Sequence, residues 1–300
     1  MTTPRETDLR REIVEVGRRM YDRFFVAAND GNISARLDDE TVLMTPTGVS
    51  KGFMSPEDIL KVRLGGLDES AIRQMVRRVV YRTAGRLQSS QPETARHLVT
   101  ETDVRAVPVG GQLSLPRGAL VTPLARQVAL ERQGTLKKAE TAPTASQGAL
   151  AAGEGRRPSS EAPMHMAIYR VRTDVRAVVH SHAPATTAFA TTGVRLDEPL
   201  LAEVLAFIGP VALVPYARFG TLDLPRAMAP YLANHDAFLL ANHGAVTVGR
   251  TLEEAYFRTE RLELFARIRL VAYALGSTRP LPPEEVAQWI AMWERQRKET

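Results

Sequence analysis

Apolar residues recur every three or four positions through the first part of the chain, from Leu9 to Ala27. This spacing predicts an amphipathic helix over 8–28. The polar sequence NDGN at 29–32 then predicts a turn, because glycine and asparagine adopt positive φ at low cost. Apolar and polar residues alternate over 33–44, with a break at two aspartates, which predicts a β-hairpin.

Helices and strands are predicted to alternate through the C-terminal half of the chain. A helix opens at PSSE (158–161) and is expected to reach Arg172, and the strand DVRAVVHSH follows at 174–182. The remaining predicted elements are short apolar strands at 211–214, 237–240 and 245–248 and a long helix at 252–275. Elements that interleave in this way indicate an α/β or α+β protein.

The segment 67–152 differs in composition and is predicted to be an insertion into a discontinuous domain formed by 1–66 and 153–300. It divides into three predicted parts: an amphipathic helix at 68–87, a small segment at 98–134 with a short strand at 112–115, and a flexible linker at 139–155. Such a long connection is usually functional or disordered.

The positive charge of the chain is concentrated in that insertion. The chain has 39 Lys and Arg against 34 Asp and Glu, and the segment 67–152 alone holds 12 basic and 7 acidic residues. The rest is therefore formally neutral. Because Tyr81 is the insertion's one aromatic residue, a nucleic-acid partner is not expected.

The composition also restricts the chemistry. There is no cysteine, which excludes disulfides, thiolate metal sites and cysteine nucleophiles, so a metal would have to be held by His, Asp or Glu. No apolar run approaches the roughly 18 residues that span a bilayer, and the N-terminus is charged where a signal peptide is apolar. A cytoplasmic protein without a membrane partner is expected.

Three of the six histidines have the placement of metal ligands. His180 and His182 stand two apart on a predicted strand, so both rings lie on one face. His243 follows an apolar strand and precedes a glycine. Three imidazoles with an open coordination position suit a catalytic zinc ion. The alternative for the pair is a hydrogen-bonded, half-buried strand edge.

A carboxylate and several small residues complete the candidate site. Glu161 at the start of a predicted helix could act as a base beside a metal, or be only a favourable charge in the first helical turn. Backbone N–H groups at helix starts and glycine turns can bind an anion. The residues so placed are Gly31, Asn32, Thr47, Gly48, Ser159 and Ser160.

Five motifs in order resemble the class II aldolase/adducin family. They are GNISAR at 31–36, TPTGVSKG at 45–52, PSSE at 158–161 with the following helix, DVRAVVHSH at 174–182 and ANHGAV at 241–246. The resemblance implies a three-layer α/β/α sandwich around a mainly antiparallel sheet, interrupted here by the insertion. It also implies a four-fold symmetric homotetramer with active sites between subunits.

The resemblance assigns roles to the candidate residues. His180, His182 and His243 match the family's zinc ligands, Glu161 its acid/base, and the six small residues its phosphate-binding positions. His165 matches a histidine that packs behind the site. The implied reaction is zinc-dependent retro-aldol cleavage of a phosphorylated deoxy-ketose, L-fuculose 1-phosphate or L-rhamnulose 1-phosphate, to dihydroxyacetone phosphate and lactaldehyde.

Other activities occur on the same scaffold. A sugar-phosphate 4-epimerase or a dehydratase is the alternative, although epimerases of the family carry Asp where this chain has Glu161. A non-catalytic, adducin-type binding module is disfavoured because the metal histidines are present. One departure concerns Glu203, which stands where related aldolases offer a tyrosine to the neighbouring subunit. It is a candidate proton donor or a solvent-facing helix residue.

The insertion resembles the encapsulation and accessory segments of bacterial microcompartment proteins. This implies that helix 68–87 docks onto a microcompartment shell protein and that the enzyme resides in the lumen. Two alternatives remain for the helix: it packs on the enzyme's own surface, or it lies on a membrane surface, which is disfavoured because it lacks Trp and Phe.

Overall fold

The computed structural model describes residues 3–64 and 157–298, together with four short strands between them. The predicted helix 68–87, the linker 139–155 and most of the segment 98–134 lie outside the described residues. Their predictions, including shell docking, therefore stay predictions.

A seven-stranded sheet forms the centre of the larger part of the fold. Its strand order is β3-β2-β1-β8-β11-β10-β9. Every neighbouring pair is antiparallel except β9 and β10. The strands are β1 (Asn32–Arg36), β2 (Thr41–Met44), β3 (Leu60–Arg63), β8 (Ala177–Ser181), β9 (Val211–Val214), β10 (Ala237–Leu240) and β11 (Gly244–Gly249), with β4 to β7 outside this sheet. The expected mainly antiparallel sheet is confirmed.

Helices cover both faces of the sheet. The described α-helices are α1 (Pro4–Asp22), α2 (Ala162–Val171), α3 (Pro184–Thr192), α4 (Ala202–Phe207), α5 (Asp223–Met228), α6 (Leu252–Leu275) and α7 (Pro283–Lys298). Short 3-10 helices lie at Lys51–Phe53 and Pro56–Asp58. None of the described helices is long and apolar enough to cross a bilayer.

Successive side chains of a strand point to opposite faces of the sheet, so the core has one layer on each face. Val178 packs with Met164 and Ile168 of α2 on one face of the sheet. The next residue, Val179, packs on the opposite face with Ile13 and Met20 of α1. Helix α5 shares the first face, and helices α3 and α6 share the second. The three-layer α/β/α arrangement predicted for the family is confirmed.

The N-terminal helix ends earlier than the hydrophobic pattern predicted. Helix α1 starts behind Thr3, whose hydroxyl accepts a hydrogen bond from the N–H of Glu6, and it stops at Asp22 instead of residue 28. Phe24 has φ 59°, which breaks the helix, and Phe25 and Val26 fill the core from an irregular segment. The apolar spacing continued past the helix through Phe24 and Ala27, but both are exposed in the fold, and their neighbours Phe25 and Val26 are the buried residues.

Both ends of the connection 65–156 are fastened beside strand β2. The N–H of Leu64 donates to the carbonyl of Glu40, just before β2, at 2.7 Å. The N–H of Thr47, just after β2, donates to the carbonyl of Arg157 at 3.0 Å.

The chain divides into two compact units, Met1–Arg82 with Gly148–Thr300 and a smaller one at Thr83–Gln147. In the smaller unit β4 (Leu98–Val99) pairs in parallel with β6 (Leu120–Val121), and β5 (Gln112–Leu115) pairs in parallel with β7 (Thr135–Lys138). The strand predicted at 112–115 is thus confirmed.

Candidate metal centre and active site

The three predicted metal ligands converge where β1, β8 and β11 meet. His180 lies on β8, opposite Asn32 of β1 and Val246 of β11. His182 follows the end of β8, and His243 precedes β11. One nitrogen of each of the three rings lies within 4.8 Å of the other two. The spacing of two along the strand therefore placed His180 and His182 on one face, as predicted.

Two glycines allow the backbone to approach the histidines this closely. A Cβ atom on Gly244 would lie 2.5 Å from the carbonyl oxygen of Ser181 and 2.7 Å from Cδ2 of His182. Gly31 has φ +65°, and a Cβ there would lie 2.7 Å from the carbonyl oxygen of His180. Gly244 thus permits the backbone to pass beside the His182 ring, and Gly31 permits it to pass beside the His180 backbone.

Hydrogen bonds orient the rings toward a common point. Nδ1 of His180 donates to the carbonyl oxygen of Ala245 at 2.9 Å, so its Nε2 faces the cluster. Nε2 of His182 lies 3.1 Å from Nε2 of His180. On the other side of the His182 ring, Nδ1 lies 3.5 Å from a carboxylate oxygen of Asp30.

The pKa values of His182 and His180 are shifted in opposite directions. Burial lowers the pKa of His182 to about 4, aided by the neighbouring His180 and His243. Burial also opposes protonation of His180, but the charge of Glu161 outweighs it and raises the pKa of that ring. A divalent cation would satisfy converging imidazole lone pairs of this kind, so the donor set fits a metal ion.

Glu161 is the N-cap residue of α2, and its carboxylate faces the histidines. Its Oε2 lies 3.1 Å from Nε2 of His180, and its Oε1 lies 3.0 Å from Nε2 of His243. Burial disfavours the charge, but His180 and His243 outweigh it and hold the pKa of Glu161 well below its usual range. The site thus holds an ionised, 7% exposed carboxylate beside the ligand nitrogens.

The loops predicted to bind an anion lie near one another. Pro46 forms an isolated bridge with Pro158, which brings Thr47 and Gly48 next to the PSSE turn. Ser159 Oγ accepts a hydrogen bond from the N–H of Glu161 at 3.3 Å. Thr47, Gly48 and Ser160 are exposed and Ser159 is half-buried, so these loops are open to a ligand.

Asn32 occupies a different position from the exposed loop residues. It is buried on β1, its Nδ2 donates to Oε2 of Glu161 at 2.6 Å, and its Oδ1 accepts from Nε2 of His165. Both polar groups of its side chain are therefore bonded inside the protein. His165 lies behind the site, as the family resemblance implied.

Glu203 stands apart from this cluster. It is exposed on the short helix α4 and forms no hydrogen bond or ion pair with any residue that the structure describes. The structure does not bring it into contact with the three histidines of the same chain. Its role as a proton donor remains a prediction.

Lys51 is a buried cation that the sequence reasoning did not assign. Its Nζ donates to the carbonyls of Asn29 at 3.1 Å and Val49 at 2.8 Å, which joins the turn before β1 to the loop after Gly48. Burial lowers its pKa to about 8. The signal was present in the TPTGVSKG motif, but a lysine in a polar loop is normally exposed.

Comparison with known proteins assigns this geometry to a family. The sequence model of the Class II Aldolase and Adducin N-terminal domain matches residues 11–108 and 109–270. The L-fuculose phosphate aldolase of Methanococcus vannielii is 35% identical over 258 residues, which cover 86% of this chain and 93% of that protein. The 5-deoxy-D-ribulose 1-phosphate aldolase of Bacillus thuringiensis serovar kurstaki is 36% identical over 140 residues, which cover 46% of this chain and 64% of that protein. The chain thus matches less than two thirds of the latter relative.

A solved structure shares the fold. YgbL of Klebsiella pneumoniae, described as an aldolase, epimerase or decarboxylase, superposes with a TM-score of 0.63 at 24% identity, covering 95% of this chain and 98% of that one. The family match spans more than half of the chain, and the Methanococcus vannielii relative is matched over 93% of its length. The chain is therefore an enzyme of the class II aldolase and adducin family.

Proposed function

We propose that the protein catalyses zinc-dependent retro-aldol cleavage of a phosphorylated deoxy-ketose, with L-fuculose 1-phosphate and L-rhamnulose 1-phosphate as the first candidates. The products would be dihydroxyacetone phosphate and lactaldehyde. The observation that carries the proposal is the contact of the Glu161 carboxylate with ligand nitrogens of both His180 and His243. A base beside a metal centre is what carbon–carbon cleavage next to a carbonyl requires.

His180, His182 and His243 would hold one zinc ion per subunit. When bound, the ion supplies Lewis-acid polarisation of the substrate carbonyl. Three imidazoles leave a coordination position open, as catalytic zinc sites do. An all-imidazole ligand set suits zinc and also other transition metals, and zinc is proposed because the family resemblance implies it.

The protein's own residues would transfer the proton and bind the substrate phosphate. In the cleavage direction the ionised Glu161 takes up the proton of the hydroxyl on the carbon that becomes the aldehyde as the carbon–carbon bond breaks, and then returns it to the substrate carbon from which the aldehyde has left. The reverse reaction runs the same two transfers backward. Backbone N–H groups and hydroxyls of the loops that contain Thr47–Gly48 and Ser159–Ser160 bind the phosphate, with Gly31 shaping the adjacent turn.

Glu203 is proposed to serve a neighbouring subunit. Its exposed position on α4 leaves its carboxylate available to a second copy of the chain. Self-association is supported by an exposed apolar stripe on α6 with spacings of four and three residues: Leu264, Ile268, Val271 and Leu275. We propose the homotetramer that the family resemblance implies.

The alternative activity is a sugar-phosphate 4-epimerase or a dehydratase on the same metal scaffold. The glutamate at position 161 favours aldolase chemistry by resemblance. The relatives act by name on L-fuculose phosphate and on 5-deoxy-D-ribulose 1-phosphate, which supports a phosphorylated deoxy-ketose as the substrate class. Product identification separates the two activities, because only cleavage releases a three-carbon phosphate.

The deciding experiment is a coupled assay for dihydroxyacetone phosphate. The purified protein is given L-fuculose 1-phosphate, L-rhamnulose 1-phosphate or 5-deoxy-D-ribulose 1-phosphate, before and after chelation and after zinc is restored. Release that is lost with the chelator and returns with zinc supports the proposal. Absence of release from all three, with one zinc bound per subunit, would transfer the assignment to epimerase or dehydratase chemistry.

A further inference from the structure

A series of five buried polar side chains runs between helix α2 and strand β1, from Tyr169 to the carboxylate of Glu161. Tyr169 Oη lies 2.8 Å from Ser34 Oγ, which lies 2.6 Å from Nδ1 of His165. Nε2 of His165 contacts Oδ1 of Asn32, and Nδ2 of Asn32 lies 2.6 Å from Oε2 of Glu161. Four of the five side chains are at most 2% exposed, and Glu161 is 7% exposed.

The donors and acceptors along these five side chains can be arranged in one order only. The ionised Glu161 accepts, so the NH2 group of Asn32 must face it and Oδ1 must face His165. His165 then carries its proton on Nε2, and its bare Nδ1 accepts from the hydroxyl of Ser34. Ser34 in turn accepts from Tyr169.

The protonation states of the two rings agree with this order. Burial lowers the pKa of His165 to about 3, which keeps the imidazole neutral. Burial keeps the Tyr169 phenol protonated by raising its pKa, and the tyrosine oxygen also receives the backbone N–H of Val178. Both rings therefore act as fixed donors, and neither exchanges protons with the site.

We propose that Asn32 and His165 are positioning residues for Glu161: His165 fixes the Asn32 amide, which holds Oε2 and leaves Oε1 as the oxygen that transfers the proton. An oxygen that accepts a short hydrogen bond is less basic than its free partner. A metal ion would take the Nε2 lone pairs of His180 and His243, so the Asn32 bond is the one that persists. This inference rests on the proposed role of Glu161.

The proposal separates Asn32 from the phosphate-binding residues with which the sequence grouped it. A phosphate ligand acts mainly on substrate binding, whereas a residue that orients the base acts on turnover. Asn32→Ala and His165→Phe should each lower kcat by about 10- to 100-fold while KM for the sugar phosphate stays within about twofold. A raised KM with unchanged kcat in Asn32→Ala would overturn the proposal.

Two further variants distinguish positioning from loss of structure. His165→Gln retains an amide NH2 that can donate to Oδ1 of Asn32, so it should recover part of the activity lost in His165→Phe. Thr247→Val removes a buried hydroxyl on β11 that donates to the carbonyl of Ala255 on α6 and does not contact the five side chains. It should lower stability without changing kcat. Equal losses of kcat in all four variants would indicate a structural effect and overturn the proposal.

A spectroscopic test is independent of turnover. Nitrogen-15 NMR of the metal-free, substrate-free protein should show His165 as a neutral ring protonated on Nε2, and Asn32→Ala should shift that nitrogen. A ring protonated on Nδ1, or no shift in Asn32→Ala, would refute the hydrogen-bond order. If the proposed aldolase activity fails while the NMR result holds, the arrangement stands and only the reaction it serves must be reassigned.

Discussion

Nδ1 of His180 donates a hydrogen bond to the carbonyl oxygen of Ala245, 2.9 Å away across the pair of strands β8 and β11. The bond uses one ring nitrogen in the sheet and turns the other toward His182 and His243. The metal centre is thus oriented by the same backbone pairing that holds the two strands together. This dependence leads to specific expectations for mutations.

His180→Ala should abolish metal binding. It removes the ring that lies within contact distance of both His182 and Glu161, and two imidazoles hold a divalent ion far more weakly than three. Zinc content, measured by atomic emission after dialysis, should fall from one per subunit to near zero. His235→Ala is the matched control, because that half-buried histidine bonds to the carbonyl of Tyr231 and is not part of the cluster. Full zinc content in His180→Ala would contradict the ligand assignment.

Glu161→Gln should retain the metal and lose catalysis. The amide keeps the size of the side chain but accepts no proton, so cleavage should slow by about 100- to 10,000-fold. The measurement is the rate of dihydroxyacetone phosphate release at fixed zinc occupancy. Glu254→Gln, in the first turn of α6, serves as the control. Cleavage near the normal rate in Glu161→Gln would show that another group moves the proton.

Gly244→Ala should disturb both the fold and the site. Its methyl group would approach the carbonyl of Ser181 and the ring of His182, and such overpacking costs about 1–3 kcal/mol of unfolding free energy. Gly193→Ala is the control, because no atom lies within 4 Å of its added Cβ although φ is +72°. Urea unfolding should show a loss in both variants, while weakened zinc binding is expected in Gly244→Ala alone. Equal zinc affinity in the two would argue against the close approach.

Glu6 should make stability depend on pH. Burial opposes its charge, but hydrogen bonds from Arg10 and Lys61 outweigh burial and lower its pKa. Because the folded pKa lies below the unfolded value, the stabilisation is present above the unfolded pKa and is lost as pH falls through the folded one.

The corresponding variant is Glu6→Gln. It should unfold about 1–3 kcal/mol more easily at pH 7, and the difference from the unaltered protein should shrink in acid. Urea titrations of the chelated protein at a series of pH values provide the measurement and exclude acid release of metal. A difference that is constant with pH would contradict the ion-pair explanation.

Deletion of residues 67–92 tests the role predicted for the helix 68–87. The deleted protein should retain its aldolase activity, because the described site residues all lie outside the segment. Co-purification with microcompartment shell proteins should disappear. A deletion of the linker residues 139–147 is the control for a shortened connection. Unchanged co-purification after removal of 67–92 would exclude docking through this helix.

The sequence predicted the pairing of His180 with His182 and most of the larger sheet, since both depend on local periodicity. His180 and His182 needed only the period of two, and β9 and β10 have the predicted bounds. Helix α6 also matches its predicted range, Leu252–Leu275, with Thr251 capping its first turn through the N–H of Glu254. The end of α1 was missed because the apolar spacing continued through Phe24 and Ala27, which are exposed in the fold.

The hydrogen-bonded side chains behind Glu161 could not be predicted from the local sequence pattern. The alternation of Asn32 and Ser34 with apolar neighbours would normally indicate a strand face in water. In the fold that face is covered by α2, which supplies His165 and Tyr169 from more than a hundred positions away. Partner identity at such a distance is determined by the order of strands and helices, which periodicity does not encode.

The two backbone hydrogen bonds beside β2 fix the distance that the connection 65–156 has to span. Leu64 and Arg157 are held at opposite ends of the stretch 40–47, which spans roughly 23 Å at about 3.3 Å per strand residue. A bridge of about eight extended residues would cover that distance. Any additional length costs the fold little, since closure entropy grows only logarithmically with loop length. The gap between these anchors is therefore a place where the enzyme can accept an entire module without moving a residue of its site.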